Sequence, residues 1–301
     1  MKIFGLAAII CAILSGCSTP SGGVDWFDWT KMLLAQGHMR TDRGVTEAMP
    51  TAEELAVNFR RTAFAIEADP WSGPNRQSTT APRILRRWQS PISYQVIPLG
   101  PDPEGFQRRV DTFMKRIGDL TGHPINSLPA IYEVPKDPKA SVFVLYATDE
   151  ALDRLTADGG PLTQNPNSEL LELQQRIRAR IADWRIRKSP CAFLFWSANE
   201  AAEEREPGEM LFGVALIRAE IPEPLLEACI EEELAQGMGL TADHQDLRPS
   251  IFNDDQEFAL LTRQDALLLR ILYDPRLRAG MPVDDAMPIV RQIAQELLAE
   301  S

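Results

Sequence analysis

Apolar residues along this chain alternate between two periods. Over residues 51–68 they recur every three or four positions, at Leu55, Phe59, Ala63 and Ile66, which predicts a helix with one buried face. The same spacing returns over 104–120 (Phe106, Val110, Phe113, Met114, Ile117) and over 168–187 (Leu170, Leu171, Leu173, Ile177, Ile181, Trp184). Residues 92–99 alternate well enough for a strand, and 141–146, 191–196 and 210–217 are short apolar runs that also read as strands.

Local signals sharpen the helix ends. Thr51-Ala52-Glu53-Glu54 is a capping box, and Thr262-x-x-Asp265 caps a helix reaching Tyr273. A helix over 222–240 closes near Gly239, and a last one runs from Asp284 or Asp285 to the C-terminus with Pro288 in its first turn. Residues 69–82 and the acidic stretch 199–209 read as loops, and no internal repeat is present. The order predicts an α+β fold with a mixed sheet packed on a central helix, followed by C-terminal helices.

The first residues break this pattern. Lys2 precedes an apolar run from Ile3 to Leu14, the length of a signal-peptide core and too short for a membrane span of about 20 residues. It ends in Leu14-Ser15-Gly16-Cys17, a lipobox. Small residues admit the chain to a signal peptidase, and the Cys17 thiol takes diacylglycerol while its new α-amino group takes a further acyl chain such as palmitate. Two or more chains anchor a protein stably. The alternatives are an ordinary secretory signal or an uncleaved anchor. Polar Ser18-Thr19-Pro20-Ser21-Gly22-Gly23 suits a tether. Ser18 rather than Asp after the cysteine favours the outer membrane, facing the periplasm. The expected organisation is a signal peptide (1–16), a flexible tether (17–50), an N-terminal helix and loop (51–81) and a globular domain (82–301).

Charge narrows the partners. The 301 residues carry 31 Lys+Arg against 43 Asp+Glu, a net −12, and loss of Lys2 with the leader makes the mature chain more acidic still. That excludes nucleic acid, which attracts basic surfaces, and electrostatic capture by anionic lipid. Of four cysteines, Cys11 leaves with the leader and Cys17 carries lipid. Cys191 and Cys229 remain, an even pair in an oxidising compartment that reads as a disulfide; the alternative is two buried thiols.

One constellation offers chemistry. The run Glu231-Glu232-Glu233-Leu234-Ala235-Gln236-Gly237-Met238-Gly239-Leu240 falls on the helix over 222–240. Zinc peptidases of the zincin class carry His-Glu-x-x-His on such a helix, the two His binding the metal and the Glu polarising water. Here Glu232 stands for the first His, Glu233 matches the general base, Gln236 stands for the second His, and Gly239 matches the turn glycine. Ala242 occupies the third-ligand position, with Asp243 and His244 just beyond. Phe252, in Pro249-Ser250-Ile251-Phe252, stands where metzincins have Met.

Residues 85–281 therefore resemble a zincin whose metal ligands are replaced. The chain also resembles the proteobacterial lipoprotein family known as domain of unknown function 2927. The residues that carry this are Arg86-Arg87-Trp88-x-x-Pro91-Ile92, Cys229 to Gln236, Pro249-Ser250-Ile251-Phe252-Asn253-Asp254, and Leu269-Arg270-Ile271-Leu272-Tyr273-Asp274-Pro275. The resemblance implies a fold and an envelope setting but no activity.

Glu232, Gln236, Asp243 and His244 form a weak donor set: Gln is a poor neutral ligand, and the oxygens suit Mg²⁺ or Ca²⁺ better than Zn²⁺. No metal and no cofactor are expected. Glu227 and Glu231 point to the opposite side of the helix and read as a solvated face. Glu233 and Gln236 share an arc with apolar residues, as a hydrogen-bonded pair in a cleft floor would. The leading expectation is a non-catalytic, zincin-like envelope lipoprotein that is a binding or structural domain, with a protein, peptide or peptidoglycan partner. The alternative is a divergent hydrolase with Glu233 as base.

Overall fold

The computed structural model describes residues 25–64, 84–133, 139–164, 168–187, 189–198 and 206–300. Cys17 and its leader, the 69–82 loop and most of the acidic stretch lie outside these residues.

Five strands form one sheet: β1 (Ile92–Leu99), β2 (Ile125–Leu128), β3 (Val142–Ala147), β4 (Cys191–Ser197) and β5 (Met210–Arg218). Their order is β2-β1-β3-β5-β4. β1 runs parallel to both β2 and β3, and β3 parallel to β5, while β4 lies antiparallel on β5 at the edge. A strand flanked by parallel neighbours is covered on both faces, so it has no polar side. β3 accordingly reads VFVLYA and is buried at every position.

Alternation along the central strands divides the core in two. Val96, Val144, Tyr146, Ala215 and Ile217 face the larger cluster. Ile97, Phe143, Leu145, Val214 and Leu216 face a smaller one. The larger face is covered by α2 (Ala52–Phe64), α3 (Pro103–Thr121), α6 (Leu225–Gln236), α7 (Arg263–Leu272) and α8 (Val283–Ala299); the smaller by α4 (Asp149–Thr156) and α5 (Ser168–Arg187). The fold is α+β with a mixed sheet, as the hydrophobic pattern predicts. β2 and α4 are additions: β2 is a short edge strand without a fully buried position, and α4 opens on a Thr148 cap that ends in eight residues.

Three expectations are corrected. The flexible tether does not extend to residue 50. From Asp25 the chain forms α1 (Trp26–Ala35), buries Met39, and pairs Arg40 with Phe258 in a parallel bridge. Main-chain bonds from Met39 to Gln256, Arg40 to Glu257 and Ala259 to Arg40 clamp it to the domain. The helix over 222–240 is shorter than its apolar pattern. It ends at Gln236, and the chain turns through Gly239 at φ 121°, where a Cβ would lie 2.2 Å from the Arg86 carbonyl oxygen. The last helix opens at Val283, which places Pro288 beyond the first turn. Pro288 and Asp284 are both exposed, so water reaches the carbonyl that loses its helical partner.

Candidate functional site

Helix α6 is central and buried on every side. Leu225, Ala228, Ile230 and Leu234 are buried, and so are Glu231, Glu232 and Glu233 at 2, 8 and 6 % exposure. Such a helix needs countercharges and hydrogen bonds for its carboxylates. The disulfide Cys191–Cys229, with Cα atoms 5.8 Å apart, fastens it to the edge strand β4.

The solvated face expected at Glu227 and Glu231 is not there. Arg43 chelates Glu231 with both terminal nitrogens, Nη2 to Oε1 at 2.6 Å and Nη1 to Oε2 at 2.7 Å. The Leu261 N–H donates to the same Oε2 at 2.6 Å. Glu227 is half-buried beside Arg109, whose Nη1 is 3.2 Å from Oε2. Burial raises the Glu227 carboxyl above its ordinary pKa, and Arg109 opposes that rise. The face is partly covered because α3 packs along it, leaving a hollow beside Glu227, and the 40–44 turn supplies Arg43 from far off in sequence.

The positions that the sequence comparison with zincins singles out lie on the other side of α6. Gln236, the second-ligand position, donates its Nε2 to Asp243 Oδ1 at 2.7 Å. A carboxylate only accepts, so the amide nitrogen rather than its oxygen faces Asp243. Ala242, at the third-ligand position, is buried and donates its N–H to the Thr62 carbonyl. His244 accepts the Asp246 N–H on Nδ1 at 3.0 Å, which commits that nitrogen and places the ring proton on Nε2. Phe252 is fully buried in the same core as Leu234 and Met238. Among the described residues, no three His, Cys, Asp or Glu side chains converge as metal ligands would.

The residues that carried the family resemblance brace the loops that follow α6. Trp88 Nε1 donates to the Gly237 carbonyl at 2.8 Å, and Tyr273 Oη donates to the Met238 carbonyl at 2.9 Å. Arg87 Nη1 donates to the Leu272 and Leu277 carbonyls, and its guanidinium stacks 4.5 Å over the Tyr273 ring. Asp265 accepts from Ser250 Oγ and the Ile251 N–H, and Asn253 Nδ2 donates to the Gln245 and Leu247 carbonyls. These residues hold main chain in place rather than present a reactive group.

Sequence reasoning missed Arg43, Arg109 and Arg116 as partners of α6. For α3 a signal exists: Arg109, Phe113 and Arg116 share one helical face at three- and four-residue spacing. For Arg43, 188 residues from Glu231, no spacing rule applies.

No curated protein matches the chain. A family described as a protein of unknown function (DUF2927) matches residues 52–292, about four-fifths of the length; Arg43 and α1 precede that range. The chain belongs to this DUF2927 family.

Proposed function

We propose that the protein is a lipid-anchored component of the bacterial envelope whose zincin-like domain binds or scaffolds without cutting. The observation that carries this reading is the bond from Gln236 Nε2 to Asp243 Oδ1. Asp243 meets an amide N–H where a working centre needs its carboxylates to meet a cation, and Gln236 turns its donor, not its acceptor, toward the place of the third ligand. Burial of Glu233 supports the same reading, because a general base must reach the water it activates. The zincin-like description draws support from a mixed sheet whose antiparallel edge strand precedes the buried helix, and from the glycine turn at Gly239. The envelope setting rests on the lipobox at Cys17, and the disulfide suits an oxidising compartment.

A peptidase assay on the purified full chain, with and without added zinc, tests the catalytic half of the proposal. The expected result is no turnover that Glu233→Gln abolishes. Zinc-dependent cleavage lost in Glu233→Gln would replace this reading with the hydrolase.

A further inference from the structure

The Glu227–Glu231 face of α6 borders a cavity of about 420 Å³ walled by α3 and the Arg43 turn. That volume falls within the range of small-molecule pockets, about 300–1,000 Å³. Four arginines line it, Arg43, Arg108, Arg109 and Arg116, against three carboxylates. In a chain of net charge −12, this hollow gathers four arginines on one face.

The carboxylates are already engaged. Asp102 Oδ1 accepts the Gly105 N–H at the start of α3. Glu231 Oε2 accepts two bonds and Oε1 one. Glu227 shares Arg109 with Glu223. These contacts consume Arg43 and Arg109 but not the other two. Arg108 faces Glu104 at 3.9 Å, with both side chains exposed. Arg116 Nη1 lies 3.6 Å from Glu231 Oε2, beyond hydrogen-bond distance from an oxygen that already holds shorter bonds. That Nη1 makes no hydrogen bond, and the Arg116 side chain, about one-third exposed, lines the cavity. A guanidinium carries five donors, so Arg116 has capacity for an acceptor placed there.

We propose that this cavity binds a small organic anion, its carboxylate or phosphate group held by Arg116 and Arg108 and its body against the aliphatic stems of the lining arginines. Guanidinium forks match both oxyanions. The arginine stems, with the rim of buried Phe113 behind them, give the rest of the ligand an apolar surface. The site lies across α6 from Gln236 and Asp243, so it stands whether or not the zincin-like reading does.

Calorimetry on the full chain in detergent micelles tests it with three probes: acetyl-dialanine, its C-terminal amide, and inorganic phosphate. One oxyanion is expected to bind with a Kd below about 1 mM, and the amide about tenfold more weakly, as loss of a charge-assisted bond requires. Preference for acetyl-dialanine assigns a carboxylate ligand, and preference for phosphate assigns a phosphoryl one. Arg116→Gln is expected to weaken binding about tenfold and Arg108→Gln about threefold, while Arg154→Gln, in an exposed pair on α4, changes nothing. If Arg116→Gln fails to fold, exposed Arg108 and the amide probe still decide. Absence of binding by either oxyanion at about 10 mM, or binding that both arginine variants leave intact, overturns the proposal.

Discussion

Arg43 reaches Glu231 from a backbone with φ 55°, in the left-handed region that costs an L-residue about 1 kcal/mol. The ion pair it makes offsets that strain, because Glu231 without a partner would be a buried charge. Arg43→Ala is therefore expected to destabilise the fold by about 2–4 kcal/mol in urea unfolding, toward the low side of a fully buried pair because Arg43 is about one-third exposed. Replacing both partners, Arg43→Met with Glu231→Leu, is expected to cost less than Arg43→Ala alone. A loss under about 1 kcal/mol for Arg43→Ala would show that water reaches Glu231 and that the pair is incidental. His123 gives a pH test. Its ring packs 5.0 Å from Tyr273, and its Nε2 lies 3.0 Å from the Ser90 carbonyl, an acceptor that calls for a proton on Nε2. Burial, with Arg87 nearby, holds its pKa below the ordinary 6.5. The unfolded chain then binds the proton first, so stability falls as pH drops through 6.5 toward the folded value and is flat above it. Urea midpoints above and below pH 6.5 are expected to separate more for wild type than for His123→Gln. Equal separation would contradict the assignment.

Element by element, helices and strands with strong period were legible: α3, α7 with its Thr262–Asp265 capping box, and the apolar β3 and β5. The misreadings have physical causes. β2 has four residues and no fully buried position, so it carries no alternation to detect. The strap from Asp25 to Pro50 packs Trp26, Trp29 and Leu33 on the core at helical spacing, but over a single ten-residue helix, and its remainder is tied down by Met39, the Arg43–Glu231 pair and main-chain bonds to 256–263, which carry no period. Glu227 and Glu231 looked solvated because their countercharges come from other elements. The Cys191–Cys229 pairing was legible from parity and compartment, and it joins β4 to α6 across 38 residues. A loop of that length contributes about 4 kcal/mol by chain entropy. The double variant Cys191→Ala/Cys229→Ala is expected to lower Tm by about 10 °C, as that energy implies for a domain of this size. A shift below about 2 °C would mean that packing alone seats α6.

At the scale of the whole molecule, the proposed anchor residue lies fewer residues from described structure than a tether over 17–50 implies. The described structure begins at Asp25, eight residues after Cys17, a span that no chain can stretch beyond about 28 Å. Acylation of Cys17, as proposed, would keep α1 and its exposed Phe27 and Leu34 near the bilayer. Cys17→Ala is expected to abolish palmitate labelling and move the chain out of the membrane fraction; labelling that persists would refute the lipobox. Legibility at this scale was uneven. The helix that carries Glu231 to Gln236 could be placed from spacing alone, but the Gln236–Asp243 bond and the arginine-lined cavity depend on loops that spacing does not place. The central claim, that α6 keeps a peptidase-like frame without its metal chemistry, is tested most directly by elemental analysis of the full chain purified without chelator. The account predicts zinc and other transition metals well below one equivalent per chain, unchanged in Gln236→Ala. One tightly held zinc per chain, lost in Glu232→Ala or Gln236→Ala, would contradict it.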